Sequence, residues 1–368
     1  MAFTSASRAQ DAQDPQPAAT APAPADQAYD NGFPLVGRTK EFSLTLNGLL
    51  QVRYTATKPG NADAVQNFDV GLARLAFGGN AFSPKVSYLF QFEASTFGNG
   101  NPVTLLDGWL QYGLSQTASV KVGRLLLPYS RQFYTHPGNL LLSDLSAADY
   151  AFNLPRAVGV HAGATRGRLG YDVAVTNSIR ALDGSGQQNP AGRVAVVGRL
   201  EISLLQPYGY MESAPSPAPQ LSVGFAAAYN PVADASTFQN LRPGDRTRGF
   251  TVDAGYRAGR MTAQAAAYVR RNDTGRAQFI DHGGYVQAGV FLVPDTWELA
   301  ARVAVVDFDR ANAPGVSGDA VACEAGVNRY LHGHNVKVQA DAGLVHHRAF
   351  DGGHRDDRRV RVQFQLLF

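Results

Sequence analysis

Residues 42–55 read FSLTLNGLLQVRYT and residues 85–95 read KVSYLFQFEAS. In the first stretch apolar and polar side chains alternate with a single exception at Leu49, and residues 358–368, RRVRVQFQLLF, repeat the pattern. Successive side chains of a β-strand point to opposite faces. This period of two therefore predicts β-strands with one apolar and one polar face.

The same alternation recurs along the chain and predicts sixteen strands. Their expected bounds are 41–57, 68–79, 84–96, 104–114, 117–126, 157–165, 168–177, 191–204, 219–229, 246–258, 260–272, 281–293, 296–308, 318–332, 334–346 and 358–368. Strands of about 10 residues suffice to cross a bilayer when they are tilted by about 45°. An even number of strands also places both termini on one side of the membrane, as in single-chain bacterial barrels.

The connections between the predicted strands alternate in length. Those after even-numbered strands are mostly very short, as at Gly259 and Gly333, whereas those after odd-numbered strands are longer, as at 178–190 and 230–245. The long, proline-rich stretch 205–218 is an exception on the short side. Short turns on one side and long loops on the other are typical of outer-membrane barrels.

The composition supports this fold class. Hydrophobic residues make up 45% of the chain and charged residues 17%, below the quarter usual in soluble domains. No stretch offers the 18 or more apolar residues that a membrane helix needs. A soluble β-sandwich would also alternate, but one of this length would usually divide into domains with linkers, and none is visible after Asn31. We therefore expect an all-β protein, a transmembrane antiparallel β-barrel of the bacterial outer membrane.

The barrel is expected to occupy residues 32–368. Residues 1–31 are rich in Ala, Pro, Gln and Asp, and this composition predicts a disordered tail on the periplasmic side. They contain no apolar segment of a secretory signal, so we expect the chain to be a mature or truncated form.

Other function classes find little support. The net charge of +3 and the scattered basic residues do not indicate a nucleic-acid partner. The single Cys323 excludes an intramolecular disulfide, and no Cys/His spacing predicts a zinc site or another cofactor. No Gly-x-Ser-x-Gly motif is present, and the histidines show no pairing with a nucleophile. We expect a pore and no enzyme; a structural or adhesive barrel without a pore is the alternative.

One connection differs from the others. Residues 127–156, the third long connection, run for about 30 residues without clear alternation. Sixteen strands enclose a wide aqueous channel, which an inserted loop can narrow. The apolar residues 140–142, Leu145 and Phe152 favour burial against the barrel wall. We expect this loop to be folded into the lumen; an external loop is the alternative.

Charge on the polar face indicates which class of solute the pore would admit. The alternation places the following basic residues on the lumen side: Arg53, Arg74, Lys85, Lys121, Arg193, Arg199, Arg257, Arg270, Arg302, Lys337, Arg359 and Arg361. It places the following acids there: Glu93, Asp107, Asp172, Glu201, Asp253, Glu298, Glu324 and Asp341. The basic excess predicts a preference for small anions, as in pores lined by Arg and Lys. The alternative is that these charges pair across strands and only keep the lumen hydrated.

Three stretches carry a family resemblance. They are FDVGLARLAFGGNAFSPKVSYLFQFEAS (68–95), LLDGWLQYGLSQTASVKVGRLLLPYSRQF (105–133) and GVNRYLHGHNVKVQADAG (326–343). The chain resembles the phosphate-selective porin O and P family of Gram-negative outer membranes. The resemblance implies a trimeric, sixteen-stranded porin with an inward third loop and a basic passage. It implies passive diffusion of small anions, possible substrates being phosphate or polyphosphate; a general or carbohydrate-type porin is the alternative.

Single positions can be carried over from the resemblance. Arg74 matches the arginine of the RLxFxGNAFSPK-type motif and Lys85 ends that motif, while Lys121 lies in the basic strand before the loop and Arg131 at the start of the loop. Together with the lumen charges, these matches give the predicted pore-lining set: Arg53, Arg74, Lys85, Lys121, Arg124, Tyr129, Arg131, Arg193, Arg199, Arg257, Arg302 and Lys337.

The departures are equally specific. Gly71 and Leu72 stand where relatives often carry arginine, and Leu126 stands where a lysine is common. Arg124, two residues earlier on the same face, is a possible substitute. These departures argue against tight selectivity for phosphate.

The chain ends on an aromatic residue, Phe368. In the outer-membrane barrels that the chain resembles, a terminal aromatic residue is part of the assembly signal. The resemblance thus implies that the last strand engages the barrel-assembly machinery before the protein contacts outer-membrane lipid.

Overall fold

The computed structural model describes residues 33–36, 41–94, 103–177, 179, 193–231, 246–273, 278–309, 318–349 and 352–368. The tail predicted for residues 1–31 lies outside these ranges and stays a prediction. Among the described residues, no helix is long and apolar enough to cross a membrane.

The described strands follow the predicted ones closely. In chain order they are β1 (Phe33–Val36), β2 (Leu44–Pro59), β3 (Val65–Ala81), β4 (Ser83–Ala94), β5 (Thr104–Gly113), β6 (Ala118–Leu126), β7 (Arg156–Arg166), β8 (Leu169–Asn177), β9 (Val194–Ser203), β10 (Ser216–Pro231), β11 (Arg246–Gly259), β12 (Met261–Asp273), β13 (Gln278–Val293), β14 (Trp297–Asp307), β15 (Ala320–His332), β16 (Val336–Arg348) and β17 (His354–Leu367).

Strands β2 to β17 form a closed ring. Each pairs antiparallel with the next along the chain, and β17 pairs with β2, where Gln363 lies opposite Arg53. The prediction of a sixteen-stranded antiparallel barrel is confirmed. β1 is an addition that the alternation did not predict, because four residues are too few to show a period. It pairs with β2 through Phe33 and Leu46, next to the point where β17 ends.

The two faces of the strands differ as the alternation predicts. On β2, Leu50 and Val52 are 41% and 40% exposed, whereas Gln51 and Arg53 are 1% and 6% exposed. In an outer-membrane barrel the outward face is apolar and meets lipid, while the inward face is polar. Leu49, the exception to the alternation, is buried on the inward face.

The connections differ in length as expected. Gly259 and Gly333 lie in tight turns with φ of +55° and +52°, a region that glycine occupies without steric cost. Among the described connections, two are long and largely buried, although residues 204–207 of the second are exposed. The third loop (residues 127–155) joins β6 to β7, and the β9–β10 connection (residues 204–215) lies among the short turns of the opposite side.

The third loop has local structure of its own. It contains helix α1 (Arg131–Tyr134), a 3₁₀ turn (Pro137–Asn139) and helix α2 (Ala147–Phe152). The hydroxyl groups of Ser130 and Ser146 cap the two helices by accepting hydrogen bonds from backbone N–H groups of their first turns. These caps satisfy N–H groups that would otherwise be buried without partners.

The main apolar core lies between the third loop and one part of the barrel wall. Phe152 stacks on Tyr268 of β12 with ring centroids 5.8 Å apart, and lies 6.2 Å from the ring of Phe308 after β14. Leu140, Leu141 and Leu142 of the loop are at most 4% exposed. Leu140–142 and Phe152 are therefore buried and Leu145 is half-buried, while the folding of the loop into the lumen stays a prediction.

Candidate pore and its charged residues

A cavity of about 1230 Å³ lies between the third loop and one arc of the wall. Its lining comes from the loop and from strands β14 to β17 and β2 to β7. None of the described lining residues lies on β8 to β13. The cavity therefore occupies one side of the barrel, next to the seam where β17 meets β2.

Charged side chains line this cavity with an excess of positive charge. The basic lining residues are Arg53, Arg74, Lys121, Arg156, Arg359 and Arg361. The acidic lining residues are Glu93, Asp107, Asp144 and Glu324. Six positive side chains thus face four negative ones, not counting the lining histidines.

At the seam, arginines of β2 and β17 surround Asp144 of the third loop. Arg53 and Arg361 each lie 3.2 Å from Asp144, and Arg361 also contacts Asp341 at 2.7 Å and Glu324 at 3.0 Å. Enclosure within the barrel alone would raise the pKa of Asp144, but the guanidinium groups of Arg53 and Arg361 outweigh it and hold that pKa below its ordinary value. Asp144 is therefore ionised at neutral pH and offsets part of the local positive charge.

A second charged cluster lies along β3 to β7. Arg74 pairs with Glu93, and the Nε of Arg156 lies 2.9 Å from Asp107. Lys121 sits over the ring of Trp109, with its Nζ 5.0 Å from the ring centroid. A cation over an aromatic face is attracted electrostatically by the ring quadrupole.

His136 of the third loop lines the same cavity. Its Nδ1 accepts a hydrogen bond from the backbone N–H of Gly138 at 3.2 Å. Burial, together with the charges of Arg74 and Arg156, holds its pKa well below the ordinary value, so the ring is neutral. The proton must then sit on Nε2, which has no hydrogen-bond partner among the described residues.

Only part of the predicted pore-lining set lies on the cavity. Arg53, Arg74 and Lys121 do, whereas Lys85 and Arg193 are exposed at strand ends. Arg124 is half-buried and donates from Nε to the carbonyl of Leu106 at 3.0 Å.

Four other members of the set are buried away from the cavity. Arg131 is fully buried and lies 2.6 Å from Asp253, which also accepts two hydrogen bonds from Arg199. Tyr129 accepts from Arg199 through its backbone carbonyl at 3.2 Å. Arg257 lies over the ring of Tyr208 in the β9–β10 connection. These residues hold the interior of the barrel together and do not border the cavity.

Two further basic residues of the set bind the backbone of the loop. Arg302 donates to the carbonyls of Asp144 at 2.9 Å and Leu145 at 3.1 Å, and it also pairs with Glu324. Lys337 donates to the carbonyl of Leu140 at 3.0 Å. These side chains use their charge to satisfy buried carbonyl groups.

Sequence reasoning missed Arg156. It is the first residue of β7, where alternation has not yet begun, and its position in the loop boundary gave no signal. Arg359 and Arg361 were assigned to the lumen face by alternation but were left out of the pore-lining set. Among the described residues, no cluster of three or more His, Cys, Asp or Glu is arranged to hold a metal ion.

Comparison with known proteins agrees with this architecture. A family model described as "Phosphate-selective porin O and P" matches residues 44–368. No curated protein matches the chain. The channel DcaP of Acinetobacter baumannii superposes with a TM-score of 0.63 at 13% identity, covering 92% of this chain and 100% of that one.

Two other solved structures are similar in fold. The anion-selective porin of Comamonas acidovorans superposes with a TM-score of 0.60 at 13% identity, covering 88% of this chain and 99% of that one. OmpT of Vibrio cholerae, solved in a trimer form, gives a TM-score of 0.58 at 10% identity, covering 88% and 99%. At these identities the structures support the fold alone.

Proposed function

The chain belongs to the phosphate-selective porin O and P family of outer-membrane channels, and on that premise we propose that its cavity is a passive path for small anions. The excess of basic side chains on the cavity lining carries this proposal. Rings of Arg and Lys favour anions in pores because they lower the electrostatic barrier to negative charge.

The third loop would form the narrow part of this path. Its hydrogen bonds support an inward position, since it contacts side chains of β11, β14 and β16 through Arg131, the carbonyl of Leu145 and the carbonyl of Leu140. These strands lie far round the ring from β6 and β7, where the loop begins and ends. Contacts with strands so far from both ends of the loop support the proposal that it crosses the lumen.

The chemistry of the lining suits oxyanions. An arginine presents several N–H groups in a plane, so one that is already paired with a carboxylate can still donate to a passing oxyanion. Arg359 is a candidate for such contacts, since it donates to Glu324 while its side chain stays 33% exposed.

Broad anion passage is favoured over tight phosphate selectivity. Gly71, Leu72 and Leu126, which occupy positions where relatives often carry basic residues, all line the cavity here. Each therefore leaves an uncharged stretch at a place where a phosphate would otherwise find a cation. Anions would then pass with weaker retention at each step.

A specific observation supports the alternative of a general or carbohydrate-type porin. Trp109, Phe133, Tyr134 and Tyr150 line the same cavity, and Tyr150 is 69% exposed. Aromatic rings offer apolar contact surface with a polar edge. Sugars would use such a surface, so transport of neutral sugars has to be measured alongside that of anions.

The deciding experiment is the reversal potential of the purified protein in planar bilayers under a salt gradient. With chloride, phosphate, sulfate or a small sugar acid as the anion, we expect a reversal potential whose sign shows that anions carry most of the current. A current carried mainly by cations would overturn the proposal. Equal passage of ions of both signs, combined with uptake of neutral sugars into liposomes, would favour the general porin.

We further propose that the protein is a homotrimer, as the resemblance implies. The trimer form of the structurally similar OmpT is consistent with this, although it describes that protein. Chemical cross-linking in outer-membrane vesicles tests it: a ladder that ends at three chains is expected, and monomers alone would contradict it.

A further inference from the structure

The β9–β10 connection (residues 204–215) is exposed over residues 204–207, but residues 208–215 are buried or half-buried although the connection joins two neighbouring strands. Tyr208, Glu212 and Ser213 are 2%, 1% and 0% exposed. Neighbouring antiparallel strands need only a two-residue turn, as the short turn at Gly259 illustrates. The extra residues must therefore serve a purpose other than closing the hairpin.

The connection is fixed to the inner wall of the barrel. The hydroxyl of Ser213 donates to Glu298 on β14 at 2.5 Å, and the hydroxyl of Tyr330 on β15 donates to Ser213 at 3.3 Å. On the other side, the hydroxyl of Thr262 on β12 donates to the carbonyl of Glu212 at 2.6 Å. These bonds hold the connection against β12, which does not line the cavity, and against β14 and β15, which do.

The connection also binds the third loop. The carboxylate of Glu212 accepts from the backbone N–H of Leu141 at 2.7 Å and from the side-chain amide of Gln132 at 2.9 Å. The backbone N–H of Glu212 donates to the carbonyl of Asn139 at 3.1 Å. Glu212 thus bonds to three places along the loop, and the two insertions meet at this residue.

Two further contacts join the β9–β10 connection to the third loop. Arg131 of the loop donates to the carbonyl of Gly209 at 3.2 Å, and the rings of Tyr134 and Tyr210 lie 4.9 Å apart. Helix α1 and the 3₁₀ turn of the loop therefore rest on the connection. The same loop residues Tyr134 and His136 line the cavity on their other side.

We propose that the β9–β10 connection is an internal support that closes the β8–β13 side of the lumen and fixes the third loop, so that ions pass on the cavity side. This inference rests on the proposed passage of ions through the cavity. Glu212 is its positioning residue, because its three bonds set where the loop stands. The sequence marks the support only by its length among short turns.

The register allows the support to be removed cleanly. Ser203 lies opposite Ser222, and the backbone N–H of Leu204 donates to the carbonyl of Leu221 at 2.8 Å, after which the regular pairing ends. Replacing residues 205–220 by Asn–Gly, which also removes residues 216–220 of β10, would leave a two-residue hairpin of a favoured type between Leu204 and Leu221. The single-channel conductance of this shortened chain should rise by about twofold, because the passage widens toward the full lumen of a sixteen-stranded barrel.

Point variants provide a milder test of the same idea. Glu212→Ala removes the acceptor of the hydrogen bonds from Leu141 and Gln132, so its single-channel current should fluctuate. Glu212→Gln keeps an acceptor oxygen, so its single-channel current should stay close to that of the unchanged protein. Glu41→Ala, the loss of an exposed carboxylate before β2, is the matched control and should not change the current. The change of gel mobility on heating reports whether each barrel is closed.

Unchanged conductance in the shortened chain, with a closed barrel, would overturn the inference. If the shortened chain does not form a barrel, a steady current in Glu212→Ala equal to that of Glu41→Ala would overturn it instead. The reversal potential is recorded in the same membranes. A cation-selective original protein would contradict the proposed function without affecting the conductance comparison, so the two failures are distinguishable.

Discussion

The Nε of Arg131 in the third loop lies 2.6 Å from Oδ1 of Asp253 on β11. The same carboxylate accepts hydrogen bonds from Arg199 at 2.6 and 2.8 Å, so it serves two buried guanidinium groups. Glu201 lies 3.2 Å from Arg131 and completes the charge balance. This cluster ties the loop to the wall behind the cavity, and its charges compensate one another within the barrel.

Removing the shared carboxylate should destabilise the protein strongly. Asp253→Ala leaves Arg131 and Arg199 buried with Glu201 as their charged partner among the described residues. Breaking a buried ion pair by removing one partner costs about 3–5 kcal/mol. Urea unfolding in lipid vesicles measures the change. Asp63→Ala, at an exposed residue between β2 and β3, is the control, and an equal loss in both variants would contradict the role of the cluster.

The charge of the cavity should respond to Lys121 and not to Lys85. Lys121→Glu would change six basic and four acidic lining side chains into five of each. The reversal potential under a salt gradient should therefore move toward zero. Lys85→Glu makes the same change at an exposed site outside the lining, and we expect no shift. A shift of similar size in both variants would show that lining position does not govern selectivity.

Asp149 should make the third loop sensitive to pH. Burial raises its pKa from 3.8 to about 6, although hydrogen bonds from Ser130 and Tyr268 oppose that rise. The folded state therefore holds a proton that the unfolded state has lost at intermediate pH. The stabilisation that protonated Asp149 contributes is fully present below the pKa of Asp149 in the unfolded state, and it is lost as the pH rises through about 6.

The loss at neutral pH is at most about 3 kcal/mol, since one pKa unit corresponds to about 1.4 kcal/mol. Asp149→Asn should remove the slope of the unfolding free energy between acidic and neutral pH. Hydrogen exchange of the loop amides at several pH values locates the effect. A slope that persists in the variant would assign the pH dependence to another group.

The fold could be predicted because every barrel strand has to present apolar side chains to lipid on one face and polar side chains to the interior on the other. Leu50 and Val52 meet lipid while Gln51 and Arg53 face inward, and the same contrast recurs on every strand that alternates. The path through the barrel was harder to predict, because alternation gives the side of the wall and not what fills the lumen. Arg53 and Arg199 have the same inward orientation, yet one lines the cavity and the other lies beneath the loop.

The roles of other residues could not be predicted because they depend on contacts between residues far apart in the chain. Arg156 reaches Asp107 from the end of a loop, where no period exists to assign it a face. The stretch 205–218 was noted as an exception in length, but nothing local in it shows that Glu212 meets Leu141, 71 residues away. Glu212 and Leu141 meet because the β9–β10 connection and the third loop lie next to each other in the closed barrel. Neither stretch of sequence contains that information by itself.

Loss of the last residue should impair assembly at the seam. The backbone N–H of Phe368 donates to the carbonyl of Gly48 at 2.9 Å, and its own carbonyl accepts from the N–H of Gly48 at 2.8 Å. The ring of Phe368 lies 5.1 Å from that of Phe33 on β1. Deleting Phe368 removes two backbone hydrogen bonds of about 1 kcal/mol each and this aromatic contact.

Phe368 is also the proposed signal for the barrel-assembly machinery, and two variants separate that role from the seam contacts. Phe368→Ala keeps the backbone bonds with Gly48 and removes only the ring, while Phe364→Ala removes an exposed ring on the outer face of the same strand. If the ring is a recognition signal, Phe368→Ala should lower the outer-membrane level as much as the deletion does, and Phe364→Ala should leave it near normal. Quantitative immunoblots of outer-membrane fractions measure these levels, and the heat-dependent gel shift reports closure of the barrels that arrive. Normal levels for both Phe368 variants would rule out the terminal ring as an assembly signal and leave it a role in the contact with β1 alone.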